Sequence, residues 1–285
     1  MKINRISPLN HKYLQIVGTI ANSPKKLHFM GKLPNRRIPT VAIVGTRKPT
    51  SYGKEVTYKL ASDLASHGVV IVSGLAIGVD SIAHRAALDI GGITIAIVAN
   101  GVDIIYPAAN QRLAKDILDN NGAIISEYEP GVEARNYQFL ERNRIVSGLS
   151  DAVIVTEAAI RSGTMSTATH ALEQGRDVFV VPGNITSPMS AGCNNLIKQG
   201  AHPITCIEDV LEVIAPSLLQ PQTALPLGST PLESKIINLL QSGIRDGDEL
   251  QIMSKSDSSE FSQTITMMEI TGTIRGVGGN QWTLR

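Results

Sequence analysis

The chain has 285 residues, 42% of them hydrophobic and 18% charged, with a formal net charge of +1. That is the balance of a globular protein with room for one large α/β domain and a small companion, and it excludes bulk basicity as a sign of a nucleic-acid partner, so any such role rests on local clustering. Two isolated cysteines, Cys193 and Cys206, exclude a disulfide framework and a metal-ligand spacing and fit a reducing cytoplasm; no membrane span is expected, and the start MKINRISPLNHKY lacks the apolar core of a signal peptide.

Residues 1–40 read as a lead-in packed on the main domain, with Tyr13–Thr19 β-like and Pro24, Gly31, Pro34 and Pro39 as punctuation. Regular alternation follows. Strands are predicted near 41–45, 69–73, 93–98, 123–126, 152–156, 177–181 and 203–206, and helices near 52–66, 79–89, 110–120, 139–149, 164–174, 192–199 and 207–214. The apolar runs are short and β-branched, as in strands buried on both faces. Strand–helix–strand repetition with short connections implies right-handed crossovers and a doubly wound, mostly parallel sheet over 41–215.

The pattern stops at Ala215. PSLLQPQTALPLGSTP has no steady period and reads as a linker over 216–230. Beyond it, Leu232, Ile236, Ile237, Leu239 and Leu240 form a helical stripe, Asp246–Met253 and Ser258–Ile270 read as two more helices, and Thr273–Arg275 with Gln281–Leu284 read as a hairpin. Three helices and a hairpin over 231–285 have the order of a winged helix. From Pro216 onward, however, five basic residues face seven acidic ones, and Ser258–Ile270 holds no Lys or Arg. A helix that reads a groove brings cations for phosphates, so a protein-contact or structural role is expected of this tail.

Several strand ends finish in small, hydroxyl or basic residues. VAIVGTR closes on Gly45, Thr46 and Arg47; VVIVSG closes on Ser73 and Gly74; DAVIVTEAAIRSGT leads to Ser162, Gly163 and Thr164, with Thr167 one turn on. Ligands of open α/β sheets bind beyond the carboxyl ends of the strands, and backbone N–H groups at helix starts suit phosphate. The first turn is neither a P-loop nor a G-x-G-x-x-G fingerprint, which disfavours a dinucleotide site. Arg142 and Arg144 flank Asn143 at the start expected for the helix near 139–149, where cations oppose the macrodipole unless an anion is bound. Asp80 and His84 share a helix face, either as a general-base pair or, more blandly, in a helix-internal hydrogen bond that pins the loop. Tyr52 is either a stacking platform for a base or a half-buried helix residue. No carboxylate pair or histidine cluster stands out as catalytic, and no metal or cofactor is implied.

Seven ordered motifs (VAIVGTRKPTSYGKEV, VSGLAIGVDSIAHRAAL, GVDIIYPAANQRL, ISEYEPG, FLERNRIVSGLSDAVIVTEA, SGTMSTATHALEQGRDVFVVPGN and LIKQGAHPI) together resemble the DprA/Smf family, from about Tyr13 to Ile214. The resemblance implies an extended Rossmann-like domain that binds single-stranded DNA, dimerises, protects incoming strands in natural transformation and helps load a RecA-type recombinase, without an established enzymatic activity. It implies DNA contacts at Arg47, at Arg142, Asn143 and Arg144, and at the turns Ser73–Gly74 and Ser162–Thr164. Ile77 stands where the family usually has an arginine, and Leu140-Glu141 where it has a proline before R-N-R. Related Rossmann-like phosphoribohydrolases (LOG-like proteins) carry a glutamate where Thr167 stands here, which argues against hydrolysis. A nucleotide-sensing scaffold is the remaining alternative.

Overall fold

The computed structural model describes residues 2–219 and 230–284, with only the backbone of Gln241. They fall into two compact units that divide after Leu218. Residues 220–229 of the expected linker, 216–230, lie outside the described residues, and Pro216–Leu218 forms a short 3-10 turn.

The larger unit runs β1 (Asn4–Ile6), β2 (Leu27–Gly31), β3 (Thr40–Val44), α1 (Ser51–Ser66), β4 (Val70–Ser73), α2 (Val79–Asp89), β5 (Thr94–Ile97), α3 (Gln111–Asp119), β6 (Ala123–Ser126), α4 (Asn136–Leu149), β7 (Ala152–Val155), α5 (Gly163–Glu173), β8 (Asp177–Val180), α6 (Ala191–Lys198), β9 (His202–Pro203) and α7 (Glu208–Ile214). The strands form one nine-stranded sheet in the order β1-β2-β6-β5-β4-β3-β7-β8-β9. Seven are parallel, and β1 and β2 extend the β6 edge antiparallel. This is a Rossmann-like doubly wound sheet. The chain runs outward from β3 in one direction through β6, then restarts on the other side of β3 with β7. The switch point lies between β3 and β7, flanked by β4.

The alternation of buried side chains shows why these runs are strands. Ala42, Val44, Val70, Val72, Ile95 and Ile97 pack with Ile145, Val146 and Leu149 of α4 and Ala168 and Ala171 of α5. Ala96 and Ile124 point to the opposite face, against Leu113, Ala114 and Ile117 of α3. Both faces are covered, which is why the strands read as continuous apolar runs.

Two expectations need correction. Tyr13–Thr19 is not β-like: Gln15–Thr19 is a 3-10 helix, and Tyr13, Leu14 and Val17 are fully buried against the sheet. Helix α4 begins at Asn136, three residues before 139, because Gln138 accepts a hydrogen bond from the Arg135 N–H at its start. Arg142 and Arg144 therefore lie in the middle of that helix, and the macrodipole mismatch argued for them does not arise.

The smaller unit runs α8 (Pro231–Gln241), α9 (Gly247–Ser254), α10 (Ser258–Ile270), β10 (Ile274–Gly278) and β11 (Gln281–Leu284). Thr230, Asp246 and Asp257 cap the three helices through their side chains. Leu232, Ile236, Ile237 and Leu240 bury against Leu250, Phe261, Ile265, Met268 and Ile274. The hairpin is antiparallel with a bulge between Gly276 and Gly278.

Candidate nucleic-acid interface

The parallel register aligns the ends of the three central strands. Val44 of β3 pairs with Val155 of β7, and Ala42 pairs with Val72 of β4. The turns that follow these strands meet in one groove of about 500 Å³, closed on its far side by α4. Gly45, Thr46, Arg47, Gly74, Asp80, Phe139, Arg142, Asn143, Ser162, Gly163, Thr164 and Thr167 line it.

The first turn is built around a carboxylate. Glu157, 2% exposed, accepts the Thr50 N–H at 2.8 Å and the Thr50 hydroxyl at 2.8 Å, and its own carbonyl accepts the Thr46 N–H at 2.7 Å. Thr50 caps α1 by accepting from the Gly53 N–H. The start of α1, where a Rossmann fold usually receives a phosphate, is thus occupied by the protein's own anion. The sequence reading missed Glu157. The available signal was a single charged residue inside the otherwise uncharged run VIVTEAA, which a buried environment tolerates only when paired.

Arg47 follows this turn and is exposed, with its guanidinium 5.6 Å from the centre of the Phe139 ring. Phe139 also packs against Tyr106 in a tilted contact, with ring centres 5.7 Å apart. Opposite, α5 begins with Ser162 as its cap residue. The Ser162 hydroxyl makes no capping bond and is buried without a partner. Thr164 Oγ1 donates to the Gly45 carbonyl at 2.9 Å, joining the two walls. Asn143 Nδ2 donates to the Gly163 carbonyl and to Ser166, both at 3.2 Å, which fixes α4 against the α5 turn.

The floor carries opposed charges. Arg142 Nη1 donates to the carbonyls of Gly74, at 2.7 Å, and of Ile97. Asp80 Oδ2 accepts the N–H groups of Gly74 at 3.1 Å and Ala76 at 3.3 Å. Burial raises the Asp80 pKa, and Arg142 and the loop amides oppose that rise. Burial lowers the Arg142 pKa, Asp80 offsets this, and Arg47 lowers it further. Arg47 and Arg142 thus repel one another across the groove, a repulsion that a bound anion relieves.

Asp80 pins the loop, but not through His84. His84 Nδ1 bonds the Thr94 hydroxyl at 2.6 Å, and burial with Arg142 nearby pushes the imidazole down to about 3. It is a neutral core histidine and not half of a general-base pair.

Three expected contact residues point elsewhere. Ser73 is fully buried and donates to the Ile43 carbonyl at 2.7 Å, tying β4 to β3. Tyr52 lies along α1 and donates to the Pro182 carbonyl at 3.0 Å, lining a separate cleft beside β8. Arg144 leaves the opposite side of α4 and grips both oxygens of Glu127, at 2.8 and 2.7 Å. Glu141, the acidic departure beside R-N-R, accepts the Tyr128 hydroxyl at 2.7 Å.

A doubly wound, mostly parallel sheet with turns gathered at its switch point belongs to the class of Rossmann-like α/β domains. The model of the DNA recombination-mediator protein A family matches residues 4–215, and the chain belongs to that family, the DprA/Smf proteins. It is 42% identical over 210 residues to DNA processing protein DprA of Streptococcus pneumoniae, covering 74% of each chain. It is 46% identical over 189 residues to Protein Smf of Escherichia coli, covering 66% of this chain and 50% of Smf, so it spans about half the length of that relative. The fold matches the crystal structure of S. pneumoniae DprA with a TM-score of 0.70 at 40% identity, over 75% of each chain. It matches DNA processing protein A of Helicobacter pylori, described for a unique single-stranded DNA binding mode, with a TM-score of 0.66 at 36% identity, over 76% of this chain and 97% of that one. Among the described residues no helix is long and apolar enough to cross a membrane.

Proposed function

We propose that this chain binds single-stranded DNA across the carboxyl edge of β3, β4 and β7. The reading is carried by the exposed Arg47 guanidinium set over the Phe139 ring at a hydroxyl-lined groove that Arg142 also lines. A phosphate meets Arg47 and the Ser162–Thr164 turn, and an unstacked base has Phe139 and Tyr106 as apolar faces. The single-stranded DNA binding mode described for the H. pylori relative supports the same ligand here. The role is binding, not catalysis. Asp80 is the groove's only carboxylate among its lining residues, and its Oδ2 is already held by two loop amides.

The family supports further assignments: a cytoplasmic homodimer that protects incoming strands during transformation and helps load a RecA-type recombinase. The smaller unit, with three helices and a hairpin, is assigned as winged-helix-like. Its acidic surplus and the lack of cations in α10 favour protein contact or a structural role over duplex reading.

The test is fluorescence anisotropy of a labelled oligo-dT strand with an unlabelled duplex of equal length as competitor. Salt-sensitive binding that the duplex competes for poorly is the expected result. Tight binding of a mononucleotide with none of the strand overturns it in favour of a nucleotide-sensing module.

A further inference from the structure

One glycine in the groove floor is held from both sides, through the two peptide groups that flank its Cα. The Gly74 N–H goes to Asp80 Oδ2 and the Gly74 carbonyl to Arg142 Nη1. The two charged side chains are 8% and 6% exposed, and Arg142 Nε is sealed from solvent without an acceptor. The guanidinium lies flat on the glycine, so a Cβ at Gly74 would overlap Nη1, Nη2 and Cζ. This is a guanidinium built into the wall, with its Nη1 committed to protein carbonyls.

The loop that follows needs such a hold. Leu75, a fully buried branched residue, has a φ of 58°, a left-handed conformation that persists only when its surroundings enforce it. Asn110 Nδ2 adds a bond to the Leu75 carbonyl at 2.8 Å. Three residues on, Gly78 has a φ of 94° and sits so close to the Thr46–Arg47 backbone that a Cβ there would overlap it. The Val79 N–H then donates to the Thr46 carbonyl at 3.1 Å. A continuous path of contacts therefore runs from Asp80 and Arg142, through the loop from Gly74 to Gly78, to the turn that carries Arg47.

We propose that Asp80 and Arg142 are positioning residues that clamp Gly74 and thereby place Arg47, and that Arg142 is not itself a phosphate ligand. This assignment rests on the reading of the groove as a single-strand site. It differs from a simple two-arginine phosphate site in the sign of one prediction. If Arg142 met a phosphate, neutralising the neighbouring Asp80 would strengthen binding. If the pair is a clamp, neutralising Asp80 weakens it.

The experiment measures oligo-dT affinity at several salt concentrations for the wild type, Asp80→Asn, Arg142→Gln and Gly74→Ala, with amide hydrogen exchange on each free protein. Gly74→Ala keeps both charges and displaces the guanidinium, so it carries the test if Arg142→Gln does not fold. The expected result is an affinity loss of about tenfold or more in each variant, as small misplacements of a binding group produce, with the slope of log affinity against log salt unchanged. Removal of one phosphate contact would instead lower the slope by about 0.7. In the free proteins, Asp80→Asn is expected to speed exchange at Gly74 and Ala76 by tenfold or more relative to the core strands. A lowered slope for Arg142→Gln together with tighter binding for Asp80→Asn overturns the clamp, as does unchanged affinity in all three variants. If the wild type does not bind the strand, the functional reading fails, and unchanged exchange in Asp80→Asn separately overturns the clamp.

Discussion

Glu157 closes the start of α1 by accepting both the N–H and the hydroxyl of Thr50, each at 2.8 Å. A side chain that follows β7 thereby fills the helix terminus that follows β3, and leaves the Arg47 turn and the start of α5 to line the groove. The same bond pair ties the two halves of the doubly wound sheet together at the switch point.

Glu157→Ala is expected to lower stability by about 2–3 kcal/mol, the cost of leaving charge-assisted hydrogen bonds unmade, as read by urea denaturation. Gly53→Ala offers a sharper check. Replacing a glycine in a helix usually stabilises by up to about 1 kcal/mol, but a Cβ at Gly53 would overlap the Glu157 carboxylate. Destabilisation by Gly53→Ala is therefore predicted, and a raised melting temperature would contradict this packing.

Arg144 is neutralised by Glu127 on the side of α4 away from the groove. Arg144→Ala is expected to cost about 1–2 kcal/mol of stability through the lost bidentate pair. Its salt slope for oligo-dT binding should equal that of the wild type. A reduced slope in a fully folded variant would return Arg144 to the contact surface.

His84 is held neutral in the folded chain, at about 3 against an ordinary 6.5. An unfolded chain binds a proton at this residue below about pH 6.5 while the folded one does not. Stability from this group is therefore intact above pH 6.5 and lost as pH falls towards about 3, by up to about 1.4 kcal/mol per pH unit. Asp80 acts in the opposite sense, because burial raises its pKa on folding. The difference between the wild type and His84→Gln isolates the histidine. Urea midpoints measured from pH 7 to pH 4 should fall less steeply in His84→Gln, and parallel curves would contradict a neutral buried imidazole.

The core sheet was legible because strands buried on both faces write themselves as β-branched runs, and 79–89 and 123–126 match their predicted bounds to the residue. The lead-in was less so. Tyr13, Leu14 and Val17 are apolar because they face the core from a helical turn, and so short an apolar run does not reveal its period. The start of α4 was hidden because its cap is an arginine and not a Ser or Asp; Gln138, three residues on, instead accepts the Arg135 N–H.

The strand-end turns located the groove, since Gly45, Thr46, Arg47, Gly74 and Ser162–Thr164 all line it. Their partners could not be read from the sequence. Residues two apart on a helix leave it on different sides, so Arg142 and Arg144 part company only once α4 is packed. Ser73 ends inside the sheet and not on its rim because the strand closes one residue before the turn opens.

If Arg47 meets the DNA backbone, the salt dependence of oligo-dT affinity, measured side by side for the wild type and Arg47→Glu, shows it most directly. Arg47 is exposed and rests over the Phe139 ring, so the variant should keep the wild-type melting temperature. The account predicts weaker binding to every strand sequence and a salt slope lowered by about 0.7 or more. Unchanged affinity and slope in the folded variant would contradict it.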